Sequence, residues 1–147
     1  MQGLSNVSTG LDLTFMAGED LTADQYKVVT VDANGRALKI DAANEFPCGV
    51  LQSTPVNGQS CAIRVRGVTK CVAQATITRG DIVQAHFTAG ADEGKVKPWT
   101  IGTDGHNHGG AASNPPATGT LDCILGIALS SAAAGELVSV LLCQQAL

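Results

Sequence analysis

The 147-residue sequence predicts an all-β fold, a small barrel assembled from hairpins. Short stretches in which apolar and polar residues alternate recur along the chain, and a period of two is typical of strands. Glycine-containing turns separate these stretches at nearly regular intervals. No segment has the apolar spacing of a long amphipathic helix, and a small barrel or sandwich satisfies this combination.

A motif that occurs twice supports the prediction of hairpins. Each copy starts with a glycine and an apolar stretch, crosses a turn of small residues to a second glycine, and continues into a strand-like stretch. The glycines are Gly49 and Gly58 in the first copy and Gly126 and Gly135 in the second, at the same spacing. Each copy therefore predicts two strands joined by a turn.

The N-terminal residues predict an arm ahead of the folded body. Residues 1–14 are mostly small and polar, which is typical of a segment that becomes ordered on a partner. Leu11, Leu13 and Phe15 alternate with polar residues, as in a strand. We expect a single β domain over residues 15–147.

The middle of the chain predicts a series of short strands. Residues 26–31 are rich in β-branched side chains, and Asn34-Gly35 predicts the tight turn of a hairpin because both residues tolerate a positive φ. A strand that starts at Cys61 is expected to bend or bulge at Gly67. Pro98 cannot donate to a ladder and places the strand around it at an edge.

Residues 102–120 differ in composition from the rest of the sequence. They are rich in Gly, Pro, Ala, Ser and Asn and offer almost nothing that could be buried. Loops of this length are usually functional or disordered, so we expect a long Gly/Pro-rich surface loop inserted between strands. The second copy of the repeated motif follows this loop and predicts the last hairpin.

Composition argues against nucleic-acid and membrane partners. The net charge is −4 and aromatic residues make up 3% of the chain, whereas nucleic-acid binding needs a clustered positive field or exposed rings. Arg64, Arg66 and Lys70 are too few to create that field, and Arg64 and Arg66 are expected on a solvated outer face. The sequence shows neither a secretory signal nor an apolar run that would span a membrane, so synthesis in a cytoplasmic compartment is expected.

The cysteines predict buried thiols in a reducing compartment. Their number is odd, no two have the Cys-x-x-Cys spacing of a zinc site, and most lie in apolar stretches. The sequence leaves open the alternative of a disulfide between Cys48 or Cys61 and a cysteine on another strand. The five residues are Cys48, Cys61, Cys71, Cys123 and Cys143.

The sequence gives little support for a catalytic site. His106 and His108 with Asp104 have the residue types of a metal site, but they lie in the glycine-rich loop, which would have to be ordered on binding. His86 has no recognisable nucleophile motif around it. We therefore expect no enzymatic activity, no cofactor and no metal site.

Several phrases together resemble the small capsid decoration, or cement, proteins of tailed bacteriophages. The phrases cover most of the chain outside the 102–120 loop, and it is their order and spacing that carries the resemblance. They are Thr14-Phe15-Met16-Ala17-Gly18-Glu19-Asp20-Leu21, Gln25-Tyr26-Lys27-Val28-Val29, Gly49-Val50-Leu51-Gln52, Arg64-Val65-Arg66-Gly67-Val68-Thr69-Lys70, Ile77-Thr78-Arg79-Gly80-Asp81, and Gly126-Ile127-Ala128-Leu129 with Gly135-Glu136-Leu137-Val138-Ser139-Val140. The resemblance implies a β-tulip module that binds the outer surface of an expanded icosahedral head, commonly as a trimer at three-fold positions.

This resemblance leads to a functional hypothesis. It implies a structural virion protein whose partners are the major capsid protein and copies of itself in a homotrimer, and which stabilises the capsid. Leu11, Leu13 and Phe15 are the candidate capsid or subunit contacts, since an added strand could place them in pockets. The alternative is a β-barrel binding module or head-fibre base that recognises a host-surface glycan. A metal-dependent hydrolase using the loop histidines is a weaker rival.

Overall fold

The computed structural model describes residues 10–42, 45–99 and 123–146. Within these residues it is all-β, as the sequence predicts, and nine strands form one hydrogen-bonded sheet in the order β1-β3-β2-β4-β5-β9-β8-β6-β7. The strands are β1 Leu11–Ala17, β2 Val28–Val31, β3 Arg36–Lys39, β4 Gly49–Leu51, β5 Ser60–Val72, β6 Ile82–Ala85, β7 Val96–Pro98, β8 Cys123–Ala128 and β9 Leu137–Ala146.

The first five strands close into a barrel. β1 pairs with β5 in antiparallel register and with β3 in parallel register, so the order β1-β3-β2-β4-β5 returns to its start. We call the unit made of β1, β2, β3, β4 and residues 60–66 of β5 the first barrel. Its buried interior is small and aliphatic, and Phe15 packs against it.

The second half of β5 begins another unit of the same kind. Residues 67–72 of β5 pair with β9, and the sheet continues through β8 and β6 to β7. An isolated parallel bridge between Ala73 and Val96 joins β7 back to the chain that leaves β5. We call this unit the second barrel. Gly67, at φ 95°, lies at the point where β5 passes from one barrel to the other.

The strand registers of the two barrels correspond pair by pair. β1, β2, β3, β4 and the first half of β5 have counterparts in the second half of β5, β6, β7, β8 and β9. The corresponding pairs include Met16–Ser60 and Val72–Leu137, Leu13–Ile63 and Thr69–Val140, and Val29–Gly49 and Val83–Gly126. We call residues at the same register position counterparts. The chain is therefore an internal duplication in which one long strand serves both copies.

Hydrogen bonds in the turns repeat in the same way. Gln52 donates its N–H to the Ala62 carbonyl over 2.9 Å, and Leu129 donates to Ser139 over 2.7 Å. The hydroxyl oxygens of Ser53 and Ser130 accept the backbone N–H groups of the same two residues, Ala62 and Ser139. The further matching bonds are Leu21–Pro55 and Ile77–Ala132, Gly58–Ala17 and Gly135–Ala73, and Tyr26–Leu51 and Gly80–Ala128.

The two interiors are built from counterpart residues. Every buried member of the first-barrel core has its counterpart in the buried cluster of the second barrel. The pairs are Ala17 with Ala73, Leu21 with Ile77, Val29 with Val83, Ala37 with Val96, Leu51 with Ala128, Cys61 with Val138, and Ile63 with Val140. Because aromatic residues are nearly absent from both, close packing depends on branched aliphatic side chains.

Local predictions from the sequence are confirmed at several positions. β2 and β3 form the predicted hairpin, and Gly35 has the positive φ, 75°, that the turn requires. β7 contains Pro98 and lies at the end of the sheet order. The repeated motif forms β4 with β5 and β8 with β9. The 102–120 loop and residues 1–9 of the predicted arm lie outside the described residues, whereas Leu11–Thr14 form part of β1.

The cysteine side chains that the structure describes are free thiols. Cys61 and Cys71 are buried, Cys48 is half-buried and Cys143 is exposed. Burial raises the pKa of the Cys71 thiol far above its ordinary value, and it raises the pKa values of Cys48 and Cys61 as well. These thiols are therefore protonated and poorly nucleophilic at neutral pH.

Candidate assembly surfaces

The described residues hold no group of three or more His, Cys, Asp or Glu side chains arranged around a metal position. His106, His108 and Asp104 lie outside the described residues. His86 follows β6, where its backbone pairs with Lys95, and no described residue hydrogen-bonds to its buried Nδ1. No helix in the described part of the chain has the length and hydropathy to cross a membrane.

The strand β1 forms the first surface with exposed apolar side chains. Leu11, Leu13 and Phe15 project from one face of it, as the alternation in the sequence predicts. Leu11 is 53% exposed and Leu13 is 40% exposed, whereas Phe15 turns into the first-barrel core. The structure thus brings the three predicted contact residues onto one strand face, with two of them available to a partner.

The edges of β1 are unequally paired. One edge is bonded to β5 from Leu11 to Met16, but β3 reaches the other edge only at Met16 and Ala17. Among the described residues, no strand pairs with this second edge from Leu11 to Phe15. An extended segment of a partner could therefore add there by main-chain hydrogen bonds.

An ion pair fixes β1 on the first barrel. Arg64 donates from Nε to Asp12 Oδ1 over 2.7 Å and from Nη2 to Asp12 Oδ2 over 3.0 Å. Its Nη1 also donates to the Val68 carbonyl. The hydrogen bond to Asp12 raises the pKa of Arg64. The sequence predicts a solvated outer face for Arg64 and Arg66, but only Arg66 is exposed in that way.

The second surface lies on the outer face of the second barrel and was not predicted. Ile82, Ile127 and Leu141 are direct register partners on β6, β8 and β9, so they form a continuous apolar row. Each is more than a third exposed. The half-buried Trp99 follows β7 beside this row and donates its backbone N–H to the Ile82 carbonyl. Comparison of the two sequence repeats could have revealed these residues.

The comparisons with known proteins place the fold. A solved structure of the head fibre gp8.5 N base of bacteriophage phi29 matches the chain with a TM-score of 0.53 and 16% sequence identity. The match covers 93% of this chain and 97% of that one, so it includes both barrels. No protein family model matches the sequence. No curated protein matches it either.

Proposed function

We propose that this chain is a structural protein of a bacteriophage virion that binds the outer surface of the expanded head as a homotrimer and stabilises the capsid. The single observation that carries the proposal is the match, over nearly the whole of both chains, to the base of a phage head fibre. The phrases that resemble cement proteins agree with it. On this proposal the protein is not an enzyme, and its partners are the major capsid protein and other copies of itself.

The proposed mechanism is clamping through β1. Its open edge from Leu11 to Phe15 offers main-chain hydrogen bonds, and the exposed Leu11 offers an apolar contact beside it. The Asp12–Arg64 pair holds this strand in place before binding, which lowers the ordering cost of the complex. Three such contacts in one trimer would convert a weak single contact into a durable attachment.

The proposal is tested by co-sedimentation of the purified protein with expanded, undecorated heads and with unexpanded proheads. We expect saturable binding to expanded heads at three copies per local three-fold site. Deleting residues 1–9 tests the arm while leaving β1 intact, and Leu11→Asp tests the strand. Val56→Asp is the matched control, because Val56 is an exposed apolar residue in the turn between β4 and β5. Absence of wild-type binding to either particle would contradict the proposal.

A second candidate is the base of a head fibre, which the identity of the structural neighbour favours. Such a base would attach to the head but contribute little to its stability. Heating expanded heads with and without saturating protein separates the two functions, since a cement protein raises the temperature of DNA release and a fibre base leaves it unchanged. Replacing 102–120 by a short Gly-Ser linker should leave head binding unchanged in either case.

A further inference from the structure

The first barrel contacts the second through three outward apolar residues. Val28 on β2, Val50 on β4 and Ile40 after β3 alternate with residues of the first-barrel core and therefore point away from it. All three are fully buried, and they belong to the same cluster as the interior of the second barrel. The second barrel thus covers this triad, which we call the docking triad.

The duplication places a second docking triad on the other barrel. Register makes Ile82 the counterpart of Val28 and Ile127 the counterpart of Val50. Trp99 follows β7 as Ile40 follows β3. The apolar character is kept at each position, yet Ile82 is 37% exposed and Ile127 is 40% exposed. In the described part of the chain, no further barrel lies beyond this triad to bury it.

The receiving side of the internal contact also has a counterpart. Gln52, which follows β4, donates from Nε2 to the hydroxyl of the buried Thr69 over 2.9 Å, and Val72 donates its N–H to the Tyr26 carbonyl over 3.0 Å. Thr69 and Val72 therefore mark the rim of the second barrel that meets the first.

On the first barrel the counterpart of this rim is apolar and partly exposed. The counterpart of Thr69 is Leu13, which is 40% exposed, whereas the counterpart of Val72 is Met16, which lies on the opposite face of β1 and pairs with Arg36 of β3. The counterpart of Gln52 is Leu129. Inside the chain, Gln52 of the first barrel meets Thr69 of the second. At the counterpart positions the free surfaces carry Leu129 and Leu13, so both surfaces are apolar at this point.

We infer that a second copy of this chain occupies the free docking triad, with the rim of its first barrel at Leu13 seated on Ile82, Trp99 and Ile127. The contact repeats between chains the packing that joins the two barrels within one chain. It uses different surfaces on the two partners, so it is heterologous and closes into a ring when the rotation between copies permits. The inference deepens the homotrimer part of the proposed function and rests on it only for the number of copies.

A mixing experiment without heads tests this inference. Ile127→Asp removes the docking triad and leaves the rim, whereas Leu13→Asp removes the rim and leaves the triad. Both residues are partly exposed, so both variants should fold, which far-ultraviolet circular dichroism and thermal unfolding would verify. Native mass spectrometry and analytical ultracentrifugation under reducing conditions then give the copy number of each protein alone and of their equimolar mixture.

Wild-type protein should form a closed ring, and each variant alone should be monomeric. The mixture should give a dimer with one chain of each kind and nothing larger, because only one intact triad meets one intact rim. The control Val56→Asp should assemble like the wild type.

Three results would overturn the inference. The first is wild-type protein that stays monomeric at its highest soluble concentration. This result would mean that residues 100–122 or a capsid protein, and not a second copy, contact the triad. The second is a mixture that stays monomeric, which would mean that the triad and the rim do not meet. The third is a control variant that dissociates, which would show that added charge alone is responsible. Because no heads are present, these outcomes are independent of head binding.

Discussion

Gly126 offers the sharpest test of the duplicated register. A Cβ at this position would lie 2.0 Å from the Leu141 carbonyl oxygen and 2.9 Å from its carbonyl carbon, where ordinary contact begins at 3.4 Å. Both atoms are backbone, so no side-chain rotation relieves the overlap. Gly126→Ala therefore forces β8 and β9 apart. The counterpart Gly49 is similar, since its Cβ would lie 2.4 Å from the Arg64 carbonyl oxygen.

The size of the effect follows from these distances. Overpacking of a tight site costs about 1–3 kcal/mol. Loss of a ladder hydrogen bond as the strands separate adds about 1 kcal/mol. We therefore expect Gly126→Ala to lower the free energy of unfolding by about 3 kcal/mol, or the midpoint of thermal unfolding by roughly 10 °C. Gly49→Ala should cost about 2 kcal/mol because its overlap is smaller.

Urea and thermal unfolding measure these changes, with Gly135→Ala as the matched control. Gly135 has φ 84° and nothing within 4 Å of an added Cβ, so its replacement costs only the left-handed backbone conformation, about 1 kcal/mol. A Gly126→Ala protein as stable as the Gly135→Ala protein would refute the argument from close backbone approach.

Three further predictions concern charge and reactivity. The hydrogen bond from the Arg36 backbone N–H lowers the pKa of Asp32. The ionised carboxylate therefore adds stability above its unfolded pKa, and this stability is lost as pH falls through the lower folded pKa. Asp32→Asn should reduce the fall in the free energy of unfolding below about pH 4, measured by urea unfolding against pH. Maleimide should modify the exposed Cys143 in the native protein but Cys71 only after unfolding, and rapid modification of Cys71 itself in the native protein, located by peptide mass spectrometry, would contradict its burial. A double-mutant cycle on Asp12 and Arg64 should give a coupling of about 0.5–1 kcal/mol, because both are partly exposed, and zero coupling would mean that the pair does not hold β1.

Periodicity and turn chemistry determine much of the fold from the sequence. Asn34-Gly35 predicts the β2–β3 hairpin because the local backbone must adopt a positive φ there, and the structure has it. The two glycine-spaced motifs predict two equivalent hairpins, and the register confirms them. The alternation from Leu11 to Phe15 likewise predicts a strand, which is β1.

Other local features depend on contacts that sequence alone does not encode. Tyr26 has φ 64°, although nothing in its residue type favours the left-handed region. It is the counterpart of Gly80, and each donates its backbone N–H to the last residue of a strand, Leu51 of β4 or Ala128 of β8. Arg64 follows the alternation of an outward residue, but its partner Asp12 comes from a strand far away in the chain.

The candidate surfaces show most clearly where sequence ends and tertiary structure begins. Val28, Val50, Ile82 and Ile127 each stand next to another apolar residue, so the sequence determines apolar strands but not which of the two neighbours faces outward from its own barrel. Only the tertiary structure decides that the first two are buried and the last two are exposed. Alternation determines which side of a strand a residue occupies, whereas its burial depends on whether another unit of the fold lies on that side.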